Sequence, residues 1–498
     1  MRREEFVQQL LQAFGYEPTA DQAAAMETFT AFLADRTDRK VMILRGSAGT
    51  GKTLLASAIV RTLVRLGQKV QLMAPTGRAA KVFSLNAGQP AHTIHRKIYR
   101  QKTFAGDFNL SDNMHQHTLF LVDEASMIAN DGFAESAFGS GRLLDDLVQY
   151  VYNGNHCAML LIGDHAQLPP VGETESPALS SDWMGGYDLK VYEQTLDEVL
   201  RQAQGSGILW NATRLRNQVT LLPKIRLKGF ADIHVVRGDE LIDAISSSYR
   251  EVGMDETMVV TRSNKRANIF NNGIRNMILD REEELTRGDL LLVVKNKYLS
   301  NANGNDNDNA NGNANAQLST FNSQLSTFNS QLSTFNSQLS TFIANGDRAV
   351  VVRVRNNREL YGFHFADITL RLPDYDDAEL TFTTILETLT TEAPALTREQ
   401  TGQLYEAVMD DYADLRNKQD RLKRLKEDPY YNALQVKYGY AVTCHKAQGG
   451  QWAHVYLDQG YITPDMIDEE YFHWLYTAFT RATEQLFLVN WPKEQIEE

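Results

Sequence analysis

The segment Gly46, Ser47, Ala48, Gly49, Thr50, Gly51, Lys52, Thr53 constrains this chain more than any other, because it joins a buried-strand run, Val41 to Leu44, to a helical run beginning near Lys52. A glycine-rich turn between strand and helix aims successive backbone N–H groups and the positive end of the helix dipole at one point, an arrangement suited to phosphate oxygens. The spacing GxxxxGK followed by Ser or Thr gives Lys52 the outer phosphates and Thr53 a magnesium ion. Such a loop belongs at the carboxyl edge of an α/β sheet. Continuous apolar runs at 41–44, 70–74, 119–123 and 158–163, with helical or loop segments between them, fit a parallel sheet covered on both faces. A second set at 257–261, 438–443, 454–458 and 486–490 predicts a second α/β domain.

Length supports more than one core: 498 residues correspond to about three domains. Residues 1–200 read as the first α/β domain, with a small hairpin insert at about 97–118. Residues 201–300 and 436–498 read as the second. Short alternating strands over 347–384 predict a small SH3-like β-barrel insert, placed at 343–435 with a charged helical return over 398–428. The segment 301–342 stands apart. An Asn/Gly/Asp/Ala tract leads into three copies of QLSTFNS and a truncated fourth, whose Ser, Thr and Asn are poor helix formers; a disordered surface insertion is expected.

A phosphate loop that supports hydrolysis needs further acids, and Asp123 with Glu124 closes the run from Leu119. Asp123 fits the metal's shell, and Glu124 is placed to orient or deprotonate an attacking water. The next buried run ends in Gly163-Asp164, and its polar turn carries Gln167 toward the γ-phosphate before two prolines close it. His92 and His95 have metal-like spacing, but no nearby Cys or acid completes a site, so strand contact or loop packing is the expectation. Phe104 and Phe108 fall where a short hairpin could part a duplex, with core packing nearly as well supported.

In this order the motifs resemble those of superfamily 1 helicases, in the branch holding the RecD-like and Dda-like 5′-to-3′ DNA helicases. The resemblance runs from about Thr19 to Asn490, excluding the 301–342 insert. It implies two RecA-like domains closing on ATP, with magnesium as cofactor. Gln22 resembles the glutamine that reads adenine, and Arg201 and Arg481 resemble the arginines brought to the γ-phosphate. Pro75, Thr76, His92, His95, Asn264, Thr443, His445 and Lys446 resemble strand-contacting residues, with Phe104 on the hairpin, while Gln448 and Gly449 resemble the segment coupling strand and nucleotide. One departure is Gln451, which stands where many relatives carry a glutamate; an amide still hydrogen-bonds a ribose but alters the contact.

The expected partners are single-stranded DNA and duplex junctions, with replication, repair or recombination proteins beyond them, and a monomer is expected. An RNA helicase of the same superfamily shares every nucleotide motif, and a nucleotide-switched scaffold ATPase shares most of them. Fifty Lys+Arg against 63 Asp+Glu give a net charge of −13, which excludes a polybasic wrapper of nucleic acid and leaves binding to placed groups. The apolar runs fall far short of the ~20 residues that cross a bilayer. The amino-terminal stretch has Glu and Gln where a signal core would be apolar, and Cys157 and Cys444 are too few for a disulfide framework, so a cytoplasmic protein is expected.

Overall fold

The computed structural model describes residues 3–101, 108–131, 140–199, 205–217, 222–295, 297–298, 342–343, 345–375 and 377–497. The chain opens with α1 (Arg3–Phe14), α2 (Ala20–Ala34), β1 (Lys40–Gly46), α3 (Lys52–Arg65), β2 (Lys69–Ala74), α4 (Gly77–Ala87) and β3 (Ala91–Thr93). It continues through α5 (Ile94–Ile98), β4 (Tyr99–Gln101), β5 (Phe108–Leu110), β6 (Thr118–Val122), α6 (Leu143–Tyr152), β7 (Ala158–Gly163), α7 (Ser181–Gly186) and β8 (Lys190–Leu196). Six of these strands form one sheet in the order β3-β2-β6-β7-β1-β8, every pair parallel.

Alternation along β1 sends successive side chains to opposite faces. Met42 and Leu44 pack with Phe29, Phe32, Leu55 and Ile59 from α2 and α3, while Val41 and Ile43 pack with Leu144, Leu147 and Val151 from α6. Burial on both faces explains the unbroken apolar runs of the central strands. The edge strand β8 reads Lys-Val-Tyr-Glu-Gln-Thr-Leu, has no such run, and escapes a search for one. The expected hairpin is present as the antiparallel pair β4 and β5, with Gln101 opposite Phe108; its tip, including Phe104, lies outside the described residues.

The second half contains α8 (Gly207–Asn217), β9 (Ile225–Arg226), β10 (Ile233–Val236), α9 (Leu241–Glu251), β11 (Thr257–Thr261) and α10 (Asn264–Gly273). There follow β12 (Leu290–Val293), β13 (Lys297–Tyr298), β14 (Phe342–Ile343), β15 (Arg348–Leu360), β16 (Phe363–Leu372) and β17 (Ala378–Ile385). Helices Arg398–Asp411 and Lys418–Glu427 lead to β18 (Leu434–Tyr438), β19 (Ala441–Thr443), β20 (Trp452–Asp458), a helix at Glu469–Phe479 and β21 (Ala482–Val489). A parallel five-stranded sheet has the order β10-β21-β20-β11-β19, and β12, β15, β16, β17 and β18 close into a barrel. The protein is therefore a mixed α/β fold with two parallel sheets and a five-stranded barrel.

The barrel takes strands from beyond the expected 343–435 insert. Leu290–Val293 and Leu434–Tyr438 pair with each other, so the apolar run expected as one sheet strand at 438–443 is split between barrel and sheet. Buried Asp289 pins that junction by accepting hydrogen bonds from Tyr440 Oη (2.8 Å), Arg281 Nη1 (2.7 Å) and Arg275 Nε (3.1 Å). The repeat segment lies outside the described residues, but its two flanks meet, Lys297 opposite Ile343 and Tyr298 opposite Phe342. Among the described residues no helix is long and apolar enough to cross a membrane.

Candidate nucleotide cleft and nucleic-acid interface

The carboxyl ends of β1, β6, β7 and β8 open on one edge of the first sheet, where Gly46 lies level with Leu196 and Arg45 with Gly163. From β1 the chain turns through Gly49 and Gly51, both at φ near +80°, a left-handed conformation that costs glycine least, and Gly51 then caps α3. The loop is braced from within and from behind. Lys52 Nζ and Thr50 Oγ1 donate to the Ser47 carbonyl at 2.9 and 2.8 Å, and Gln22 Nε2 donates to the Thr50 carbonyl at 2.9 Å. The other end of the Gln22 carboxamide accepts from Thr19 N, completing a capping box at the start of α2. Gln22 thus fastens the loop to α2 and is fully buried.

Asp123 follows β6, and its backbone N–H donates to the Met73 carbonyl. Burial pushes its carboxyl up to about 7, neighbouring Glu124 adds to the rise, and Lys52 opposes it. Glu124 adopts φ 53°, an uncommon conformation for a non-glycine residue, and its N–H donates to Asp123 Oδ1 at 2.9 Å. Asp123 thus interacts with both the Glu124 carboxylate and the Lys52 ammonium of the loop, and carboxylate oxygens are the donors that suit a hard divalent cation. Among the described residues no group of three or more His, Cys, Asp or Glu forms a ready-made metal cluster, so His92 and His95 are not part of one.

After β7 the chain meets the second domain. Asp164 Oδ2 accepts from Tyr476 Oη at 2.5 Å, and the same hydroxyl accepts from the Ala48 N–H of the phosphate loop at 2.9 Å. Leu168 N donates to Thr477 Oγ1 at 2.7 Å, Gln448 Nε2 donates to the Leu168 carbonyl at 2.7 Å, and His473 Nδ1 lies 2.8 Å from the Ala166 carbonyl. Gln167 is buried between these contacts, its Oε1 without a hydrogen-bond partner in the described structure. Arg481 is also buried, and its donors go to Thr477 O, Gly450 O and Thr480 Oγ1, all in the second domain. Arg201 lies outside the described residues.

The strand-contact candidates fall into two groups that meet. Pro75 and Thr76 link β2 to α4, where Thr76 caps the helix by accepting from Ala79 N. Thr443 ends β19, His445 and Lys446 follow it, and Asn264 opens α10 beyond β11, the neighbouring strand. Gly449 joins the groups. At φ +71° it passes so close to α4 that a Cβ would lie 3.1 Å from Thr76 Oγ1. Beside it, Arg78 lies over the Trp452 ring, 4.2 Å from the centroid, and donates to the Gln451 carbonyl, while the Gln451 side chain faces solvent.

Burial sets the charge in this region. Burial holds His92 and His95 at about 4, so both rings are neutral near pH 7. Lys446 is not a permanent cation: burial lowers its ammonium to about 8, and its buried Nζ has no hydrogen-bond partner in the described structure. Three residues important to the site carry no sequence signal of their own. Asp164 reads only as a turn residue at the end of the strand beside β1, while Tyr476 and Arg216, one residue each in a helix of the second domain, reach the phosphate loop only through the docking of the two domains.

Comparison with known proteins finds two family matches. The family described as AAA domain matches residues 17–221, and that described as UvrD-like helicase C-terminal domain matches 438–489. An uncharacterized protein of Acanthamoeba polyphaga mimivirus is 24% identical over 90% of this chain and 94% of its own length. The ATP-dependent DNA helicase dda of Enterobacteria phage T4 is 26% identical over 50% of this chain, which spans 55% of that protein. The ATP-dependent RecD2 DNA helicase of Deinococcus radiodurans is 32% identical over 26% of this chain and 16% of its own length. A crystal structure of a Bacteroides Pif1 helicase with ADP-AlF3 and ssDNA covers 97% of this chain, and 95% of its own is covered, at 14% identity and a TM-score of 0.45. With an AAA-domain match over residues 17–221, a UvrD-like helicase C-terminal match over 438–489 and these relatives, the chain is similar in sequence to ATP-dependent DNA helicases of the Dda and RecD2 kind.

Proposed function

We propose that this protein is an ATP-dependent DNA helicase that translocates 5′ to 3′ on single-stranded DNA and parts duplex at junctions. The observation that carries the reading is the hydrogen-bonded seam between the domains. Tyr476 and Thr477, from the helix Glu469–Phe479, reach Asp164, Ala48 and Leu168, and Gln448, two residues beyond Lys446, donates to the Leu168 carbonyl. Through Gln448 a change at the cleft is therefore carried to within two residues of Lys446 on the strand path.

Lys52 holds the outer phosphates and Glu124 takes the proton of the attacking water. Thr53 and Asp123 are the residues to hold magnesium, which when bound neutralises charge between the β- and γ-phosphates. Gln167, with its unpartnered Oε1, orients the water or the γ-phosphate. Closing and opening of the cleft shifts Thr76 against Thr443 and Lys446, so one domain grips the strand while the other slides.

Strand displacement on duplexes with 5′ or 3′ single-stranded tails tests the proposal: unwinding from the 5′ tail is expected, and unwinding only from the 3′ tail reverses the polarity. ATP hydrolysis stimulated by RNA and not DNA would favour the RNA helicase, and hydrolysis indifferent to both would favour a switch ATPase.

A further inference from the structure

Helix α8 packs on the second sheet through Ile208, Ala212 and Leu215, which share a core with Val260, Val455 and Leu457. It also borders the phosphate loop of the first domain, since a Cβ on Gly49 would lie 3.5 Å from both Leu209 methyl carbons. From the last turn of α8, Arg216 Nη1 meets the hydroxyl of Ser47, a residue that is itself only 3% exposed. The Ser47 carbonyl accepts from Lys52 Nζ. Two cations, one from each domain, thus converge on one loop residue, the first after β1.

Their charge is poorly compensated by protein. The side chain of Arg216 is 11% exposed, and its anionic neighbour, Asp197 Oδ1, is 3.5 Å away on a side chain that is 64% exposed, where water weakens the pairing. A mostly buried guanidinium whose near contact is a neutral hydroxyl is short of an anion. A terminal phosphate held by Lys52 beside Ser47 supplies it, and a planar fork suits two phosphate oxygens. We propose that Arg216 is a nucleotide-contacting arginine, delivered by α8 to the terminal phosphate of ATP, and that through it the second domain distinguishes ATP from ADP. This deepens the assignment of the cleft as an ATP site and rests on it. Arg201 and Arg481 are the arginines that the sequence pattern singles out; Arg216 is found only through the packing of α8.

The test uses the full chain and its Arg216→Ala, Arg216→Lys and Asp197→Asn variants. Two quantities are measured: DNA-stimulated ATP hydrolysis, and affinity for ADP with and without aluminium fluoride. Arg216→Ala is expected to lower kcat by about 100-fold, the scale for one donor on developing charge. Affinity for ADP alone should stay within about threefold, and the extra affinity conferred by aluminium fluoride should be lost. Arg216→Lys keeps the charge without the fork and should recover part of the rate, which also keeps the test decisive if the alanine variant does not fold. Hydrolysis by Arg216→Ala within about threefold of the parent would overturn the inference. So would equal losses for ADP and its aluminium fluoride complex, or an Asp197→Asn variant that reproduces the defect, since the ion pair alone would then be at work. Failure of the parent itself to hydrolyse ATP would overturn the ATP-site reading, a result distinct from the other three.

Discussion

The lowered ammonium of Lys446 makes a quantitative prediction for DNA binding. At pH 7 a group at about 8 is about nine-tenths protonated, and at pH 9 about one-tenth. A DNA phosphate beside that Nζ supplies the missing anion and raises the group toward its ordinary value near 10.5. The complex then holds a proton that the free protein has lost. Affinity is accordingly greatest below pH 8 and falls as pH rises, by about tenfold between pH 7 and pH 9, equivalent to about 1.4 kcal/mol. The contact also releases a counterion, so at pH 7 Lys446→Ala should reduce the magnitude of the log affinity against log salt slope by about 0.7 on single strands. Other groups share part of the window: Lys97, Lys297 and Lys437 are also held near 8 by burial, whereas His92 and His95 titrate near 4, outside it. The assay is therefore a difference. Fluorescence titrations of single-stranded DNA are run for the parent and Lys446→Ala at pH 7, 8 and 9 across a salt series. The parent should lose about tenfold more affinity than the variant over that range. Parallel pH profiles, or an unchanged salt slope in the variant, would remove Lys446 from the strand path.

Lys52→Ala should abolish ATP turnover, while Glu124→Gln should retain ATP binding and stop hydrolysis; loss of nucleotide binding in Glu124→Gln would show that its role is misassigned. Because Asp123 is held at about 7, a magnesium ion must displace its proton, so metal affinity measured by calorimetry should be about tenfold weaker at pH 6 than at pH 8. A pH-independent affinity would take Asp123 out of the metal's shell. Tyr476→Phe leaves Asp164 and the Ala48 N–H without their shared hydroxyl and should lower stability by about 1–3 kcal/mol in denaturant titrations; the coupling of DNA to ATP hydrolysis should fall with it. Replacing residues 301–341 by a short turn should leave DNA-stimulated hydrolysis within about threefold of the parent, because β13 and β14 already bring the flanks together and loop closure depends only weakly on length. Insoluble protein would show that the repeat is packed.

What the sequence determined by itself is local. The phosphate loop is eight consecutive residues whose glycines, lysine and threonine state the conformation and its ligand together, and the central strands announce themselves because burial on both faces demands unbroken apolar runs. The barrel strands β15, β16 and β17 were legible for a related reason, since their alternating pattern follows from one wet face and one dry face. Tertiary structure decided whatever depends on residues far apart in the chain. Closure of the barrel by β12 and β18 pairs residues 143 to 147 positions apart in the sequence, Leu291 with Tyr438 among them, a pairing that no local period encodes. The titration of Lys446 and the histidines is set by what surrounds them, because desolvation is a property of the packed environment and not of residue type. Arg216, Tyr476 and Asp164 become parts of one site only when two separately folded sheets dock, for the sequence fixes each helix and turn while the packing of their apolar faces fixes where the polar ends of those elements arrive.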